Sequence, residues 1–427
     1  MNILVLNGSP KGEYSITLQT CLLIAQHFQK HSFSILHVGQ RIKSLEKDFN
    51  DAEKLLQEAD LILFSYPVYT FLVPAQLHRF MELMKEKKID LSGKYAAQIS
   101  TSKHFYDITA HQFIKENCKD MGLKYLDGLS ADMDDLKSKK GQVDALHFFQ
   151  RVLFEIALEK GNLQNPFENL KDVVIVADLA EEDEKLKAMI DHFSENCAQQ
   201  PKLVNIHDFP FKGGCISCFH CASTGECIYK DGFQDLLRNE IQAGKAIVLA
   251  YSIKDHSMGY QFKLFDDRQF CNGHRTVTMG MPFAYLVSGN LSEEGNLQVL
   301  MEARAQVGGN YLAGIASDEF DMASSVDKMA ASLSWAIRNH YTQPANFYGV
   351  GGMKIFRDLI FEMQGLMRAD YKFYKNHGQM DFPQKHKGRI AAMYLVGSLM
   401  KNQKLRAKMG NKMNEGMIAP YKKVLKK

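Results

Sequence analysis

Four cysteines fall within thirteen residues, Cys215-Ile216-Ser217-Cys218-Phe219-His220-Cys221 and then Cys227, while the other four of the chain are scattered. The spacing C-x2-C-x2-C-x5-C suits thiolates converging on one polynuclear iron–sulfur centre, because such clusters are held by cysteines separated by two-residue gaps. Gly213, Gly214 and Gly225 let the loop fold back on itself. Zinc more often takes two separated cysteine pairs, or pairs followed by histidines, and structural disulfides are a third reading of the run. His220 sits inside the motif, but four thiols already complete a ligand set. Cys21, Cys118, Cys197 and Cys271 lack partner spacing and read as small buried apolar groups.

A second chemical feature opens the chain. The apolar stretch Asn2–Leu6 runs into Asn7-Gly8-Ser9-Pro10-Lys11-Gly12, with Ser15 and Thr17 at the start of a helix. A glycine- and hydroxyl-rich turn entering a helix offers N–H groups, hydroxyls and the positive end of the dipole to an anion. It is no triphosphate-binding P-loop, so a phosphate monoester is the better guest.

These elements belong to a regular alternation. Strands are expected at Asn2–Leu6, Ser34–Val38, Leu61–Ser65, Tyr95–Ser100 and Leu123–Leu126, with helices between them. The rhythm restarts with strands at Asp172–Ala177, Leu203–His207, Ala246–Tyr251, Phe283–Ser288 and Asn310–Ile315. Strands apolar on both faces, alternating with helices, require a parallel sheet covered on both sides. Pro67–Glu82 aligns with Ser252–Asp267 at a constant offset of 185 residues: Gln76 meets Gln261, Phe80 meets Phe265 and Glu82 meets Asp267. That agreement indicates duplication. Three regions are expected: 1–165, 166–342, and a basic helical extension 343–427. The cluster Gly349–Gly352 lacks the strand and spacing of a dinucleotide fingerprint.

Asn7-Gly8-Ser9-Pro10-Lys11 with Ser15 and Thr17, together with Tyr66-Pro67-Val68-Tyr69 and Pro74-Ala75-Gln76-Leu77, resembles flavodoxin-like NAD(P)H-dependent FMN reductases. The resemblance implies an α/β fold of two tandem flavodoxin-like, doubly wound parallel-sheet domains plus the helical C-terminal extension. It implies that Ser9, Lys11, Ser15 and Thr17 hold the FMN phosphate, and that Pro67, Val68, Tyr69 and Thr70 wrap the ribityl chain and ring edge. Ser102, His104 and Phe105, in the loop after the fourth strand, would make further ring contacts. His104 and Tyr106 are the weak candidates for catalysis, against a purely structural role. In the second half the corresponding turn, Asp178–Glu184, carries five carboxylates, which would repel a second phosphate. The cysteine run followed by Asp231-Gly232-Phe233 resembles the related iron–sulfur flavoproteins, with Cys215, Cys218, Cys221 and Cys227 as the implied [4Fe-4S] ligands. The expected protein is an FMN- and cluster-dependent oxidoreductase serving a small-molecule acceptor. Its donor would be NAD(P)H or a ferredoxin-type protein, and a homodimer is expected. Two rivals are an NAD(P)H-dependent FMN or quinone reductase with structural or zinc-binding cysteines, and a non-enzymatic electron carrier.

The chain has 427 residues and a net charge of +3, room for two or three domains, and eight cysteines in so long a chain suggest reduced thiols and a cytoplasmic location. No leader pattern or membrane span is visible; the longest apolar run, Ile390–Met400, fits a buried helix. From Lys385 to Lys427 there are twelve Lys or Arg and one acid, Glu415. Such a tail suits an acidic redox partner, a membrane surface, or simply a solvated basic face. Basic charge without interleaved aromatic platforms does not make a nucleic-acid site. Asp266, Asp267 and Arg268 read as surface ion-pairing residues, His78 and His111 as helix-face residues, and Tyr371, Phe373 and Tyr374 as packing.

Overall fold

Strand β1 (Asn2–Asn7) is buried from its second residue onward, and β3 (Leu61–Pro67) and β4 (Tyr95–Ser102) are buried along nearly their whole length. Strands apolar on both faces can be satisfied only inside a helix-covered parallel sheet. The computed structural model, which describes residues 1–400 and 403–425, shows that arrangement twice. With β2 (Ser32–Leu36), β5 (Lys124–Tyr125) and β6 (Leu129–Asp132), the first sheet runs β2-β1-β3-β4-β5, and β6 also pairs with β4. Every pairing is parallel. Alternate residues divide the core into two layers. Leu4, Leu6, Ile62 and Phe64 pack with Leu77 and Phe80 on one face, and Ile3, Val5, Leu61 and Leu63 pack with Phe148, Phe149 and Val152 on the other.

The second sheet repeats the flavodoxin-like order. It comprises β7 (Val173–Ala177), β8 (Lys202–Asn205), β9 (Ala246–Ser252), β10 (Pro282–Ser288) and β11 (Tyr311–Ser317), arranged β8-β7-β9-β10-β11. The offset of 185 carries β3 onto β9 residue for residue. It also carries the Tyr69–Leu72 bridge onto Lys254–Ser257. Thr70 and Phe71 adopt positive φ, and so do Asp255 and His256 at the same offset. Left-handed backbone is uncommon outside glycine, so its recurrence in both turns is a strong mark of duplication.

The chain divides into two compact units, Met1–Ile156 with Phe382–Lys427, and Ala157–Asp381. The segment after residue 343 is therefore shared. Helices Phe347–Glu362 and Arg368–Asn376 belong to the second unit, and the last helix, Gln403–Leu425, to the first. There Ile418 and Tyr421 are buried with Leu23 and Leu136. Two elements differ from expectation. The segment expected to be a strand ending at Val38 stops at Leu36, and Val38–Leu45 is helical, burying Val38, Ile42 and Leu45. The short strand Leu129–Asp132 had no periodicity to announce it. A third expectation is overturned: Ile390–Met400 is not a buried helix. It lies in the helix Lys387–Met400, whose described side chains are all exposed.

Under the first sheet, Ser100 Oγ lies 2.8 Å from His111 Nε2, and Gln98 Nε2 donates to the His111 carbonyl at 3.0 Å. His111 is thus tied into the sheet rather than simply presented on a helix face. Burial pulls its imidazole down to about 4, against the opposing influence of Asp107 and Asp127. A base whose folded value is depressed contributes stability that is complete above its unfolded value near 6.5 and is lost as pH falls toward 4. Between pH 7.5 and pH 5 that loss amounts to about 2 kcal/mol. Urea unfolding of His111→Gln beside the parent is expected to show a pH slope flatter by this amount; equal slopes would refute a buried neutral imidazole.

Candidate functional site

The loop after β1 is tied down by its own polar groups. Gly8 N–H donates to Ser65 O at 2.9 Å, Asn7 Nδ2 donates to Gly12 O at 2.9 Å, and Ser9 N–H donates to Asn7 Oδ1 at 3.2 Å. Ser15 then caps the helix Ile16–His27, accepting from Leu18 N–H at 3.3 Å. Behind the loop lies the helix Val38–Leu45. A Cβ on Gly39 would come 2.2 Å from the Ser9 carbonyl oxygen, so only glycine permits this backbone approach.

The loops after β1, β3 and β4 enclose a cavity of about 360 Å³ at the carboxyl edge of the sheet. It is lined by Ser9, Lys11, Ser15 and Thr17, by Pro67, Val68, Tyr69 and Thr70, and by Ser102 and Phe105. Thr17 and Thr101 hydroxyls meet at 2.6 Å, and Val68 N–H donates to Thr101 O at 3.1 Å, joining the three loops. Phe71, Phe105 and Tyr106, with ring centroids 5.0 to 5.3 Å apart, form an exposed aromatic cluster. Lys103 also lines the cavity and pairs with Asp132 at 2.6 Å. Burial alone would lower its ammonium, but Asp132 and Asp134 outweigh that and raise it.

His104 does not line this cavity. It is buried, with Nδ1 2.9 Å from Asp107 and its N–H donating to Ser102 Oγ at 2.7 Å, so it shapes the loop from behind. Tyr106 is likewise outside the lining, in the aromatic cluster and with positive φ. Sequence reasoning missed Tyr14, Ile16, Phe71, Met133 and Met417. Met417 comes from the last helix, with its sulfur 3.8 Å from Lys11 Nζ, and no local motif marks it.

At the equivalent edge of the second unit the anion-binding features are gone. Asp183 caps its own helix, accepting from Leu186 N–H at 3.2 Å, and its other oxygen accepts a short hydrogen bond from Ser252. Asp178 is buried, 2.6 Å from His207 Nδ1. Carboxylates occupy the place a phosphate would need.

The cysteine loop builds a separate pocket of about 170 Å³ within the second unit. Cys215, Cys218, Cys221 and Cys227 line it, joined by Cys271, Arg268 and His274. All the cysteines are free, and no three His, Cys, Asp or Glu side chains among the described residues converge as metal ligands. His220 is exposed and outside the pocket. The loop backbone takes positive φ at Ser217 and Phe219 as well as at Gly213 and Gly225. Its carbonyls are gathered by arginines. Arg275 donates to Cys221 O at 3.1 Å, and Arg238 donates to Gly225 O at 2.5 Å and to Cys271 O at 3.2 Å. Asp370, fully buried on the helix Arg368–Asn376, holds Arg275 at 2.7 Å and the His274 N–H at 3.0 Å. Tyr374 adds a hydrogen bond to the His274 carbonyl at 3.1 Å, so it serves this pocket as well as the helix packing.

Arg268 departs most from expectation. Its side chain is 1% exposed, pairs with Asp231 through both nitrogens at 2.8 and 2.9 Å, and lies 4.4 Å from the Tyr229 ring centre. Asp266 and Asp267 do make the surface pairs expected of them, with Lys263. The Arg268 Nε–H is buried without an acceptor. Burial pulls the guanidinium down, while Asp231 first and Cys227 after it raise it above its ordinary value. Burial drives Cys271 to about 12 and raises Cys221, with Asp370 adding to the latter. An all-sulfur donor set, the Arg268 guanidinium near Cys227 and the arginines that hold the loop carbonyls suit an anionic sulfur-ligated centre, although drawing the thiols together requires the loop to tighten.

Residues 1–114 match the model of the NADPH-dependent FMN reductase family. An iron–sulfur flavoprotein of Archaeoglobus fulgidus is 25% identical over 175 residues, covering 38% of this chain and 78% of that protein. The ribosyldihydronicotinamide dehydrogenase [quinone] of Pongo abelii is 36% identical over 69 residues, 16% of this chain and 30% of that enzyme. Among solved structures, an NADPH-quinone reductase from P. pentosaceus aligns at 16% identity with a TM-score of 0.30, covering 36% of this chain and 97% of that one.

The buried Arg268–Asp231 pair and the exposed Arg304–Asp266 pair allow a direct comparison. Removing one partner of a buried pair strands a charge and costs about 3 kcal/mol or more, whereas an exposed pair is worth under about 1 kcal/mol. Arg268→Ala is therefore expected to lower the urea midpoint followed by fluorescence of Trp335, the chain's single tryptophan, and Arg304→Ala to leave it nearly unchanged. Equal small effects would contradict the buried pair.

Proposed function

We propose that the chain is an FMN-dependent oxidoreductase that reduces a small acceptor at the expense of NAD(P)H or a ferredoxin-type donor. Its second unit would hold a [4Fe-4S] cluster. The observation that carries the flavin assignment is the first unit's cavity, set at the carboxyl ends of β1, β3 and β4, where open α/β sheets bind their ligands. The match of residues 1–114 to an FMN reductase family supports it, as do the names of the curated relatives.

Ser9, Lys11, Ser15 and Thr17 would bind the phosphate, with the helix Ile16–His27 directing its positive end at it. Pro67 to Thr70 would follow the ribityl chain, and Ser102 and Phe105 would meet the ring. Phe71, Phe105 and Tyr106 offer an exposed apolar face for a flat acceptor. His104 acts as a positioning residue, holding the loop that carries Ser102 and Phe105. When bound, a flavin supplies exchange between two-electron and one-electron chemistry.

Cys215, Cys218, Cys221 and Cys227 would hold the cluster, whose chemistry is single-electron transfer. Arg268 and Arg275 beside that pocket are balanced by Asp231 and Asp370, so Arg238 contributes the net positive charge there, which would raise the potential of an anionic centre. A cluster-free quinone reductase is the second reading, favoured by the spread of the thiols.

Anaerobic purification with flavin and iron analysis tests both readings. One FMN and about four irons per chain are expected. Cys218→Ala should lose iron and its visible absorbance while retaining FMN. Lys11→Ala should weaken FMN binding about tenfold, the worth of one charge-assisted hydrogen bond. Full FMN without iron after reconstitution would leave the cluster-free reductase; failure to bind FMN would overturn the flavin assignment.

A further inference from the structure

The helix Lys387–Met400 is apolar around its whole girth from Ile390 to Val396, yet no described residue on it is buried. Tyr394 is 76% exposed, Leu395 65% and Met393 58%. A helix hydrophobic on all sides is normally enclosed by a core or by lipid, and an exposed apolar patch of this kind marks an interaction surface. We propose that this helix docks on the surface of an anionic bilayer, lying in the interfacial plane.

The charges around it choose the occupant. From Phe382 to Asn414 the sequence holds eight Lys or Arg and no acid, with Lys385, Lys387 and Arg389 before the apolar stretch and Lys401, Lys404, Arg406, Lys408 and Lys412 after it. A second copy packed symmetrically through the same helix would set basic flank against basic flank. An anionic bilayer covers the face and neutralises the flanks together. The helix is too short to cross: fourteen residues rise about 21 Å, against a hydrocarbon core of about 30 Å. No helix among the described residues is long and apolar enough to span.

The helix is also tethered. Arg389 reaches Asp134 at 2.9 Å, and Asp134 in turn accepts from Lys103, which lines the first unit's cavity. Docking would therefore hold that cavity at a lipid surface, where apolar acceptors concentrate. The docking itself does not depend on flavin occupancy.

Co-sedimentation of the full-length chain with phosphatidylcholine vesicles, and with vesicles of equal parts phosphatidylcholine and phosphatidylglycerol, tests this. Binding to the anionic vesicles is expected to be at least tenfold tighter, roughly one decade for a few basic residues near the surface, and to fall with added salt. The neutral double variant Tyr394→Ser/Leu395→Gln keeps every basic residue, and is expected to lose about tenfold in vesicle binding through lost apolar burial while binding FMN as the parent does. Three results would overturn the proposal: no preference for anionic vesicles, equal binding by the double variant, or a parent dimer without vesicles that the double variant converts to monomer. The last would assign the helix to a second copy.

Discussion

Strand β1 pairs with β2 on one side and β3 on the other, and the helices that follow β1 and β3 pack on opposite faces of the sheet. Helices then diverge at the carboxyl ends of β1 and β3 and leave a crevice between them. Everything at the first site follows from that divergence. The crevice exposes a helix start, and backbone packing as close as that of Gly39 on Ser9 keeps the intervening loop in one shape. Ser9, Ser15 and Thr17 line a common space there.

The second unit shows how little of such a scaffold must change to redirect it. Strand order, turn geometry and the 185-residue offset are kept. A carboxylate at Asp183 replaces the guest by capping the helix and binding Ser252. The loop after β8 instead carries the cysteines, with the guanidiniums of Arg268 and Arg275 bonded to its carbonyls.

Both sheets were legible because buried parallel strands are written as continuous apolar runs, as in Leu61–Phe64 and Ala246–Ala250. The three loops that line the first cavity were legible because each directly follows one of those runs, the first of them as a glycine- and hydroxyl-rich turn. What stayed hidden depends on distant partners. Arg268 sits among acidic neighbours and reads as solvent-exposed, yet Asp231, 37 residues away, draws it inward. Met417 reaches the cavity because Ile418 and Tyr421 bury against Leu23 and Leu136, which local periodicity cannot show. Cys271 has no motif spacing and joins the other thiols only through the fold. The apolar run at Ile390 misled because hydropathy reports what a side chain prefers, not what is present to cover it.

The last helix lies against the first, with Gln26 Nε2 donating to the Leu425 carbonyl at 2.8 Å. The opening unit is thus interrupted in sequence by the whole of the other and completed by residues that follow it. A ribosome releases a completed Ala157–Asp381 unit before it releases Met417. One part of the wall of the amino-terminal cavity, Met417, is consequently put in place only after the second unit has been made, and a cofactor arriving earlier in synthesis meets a more open site.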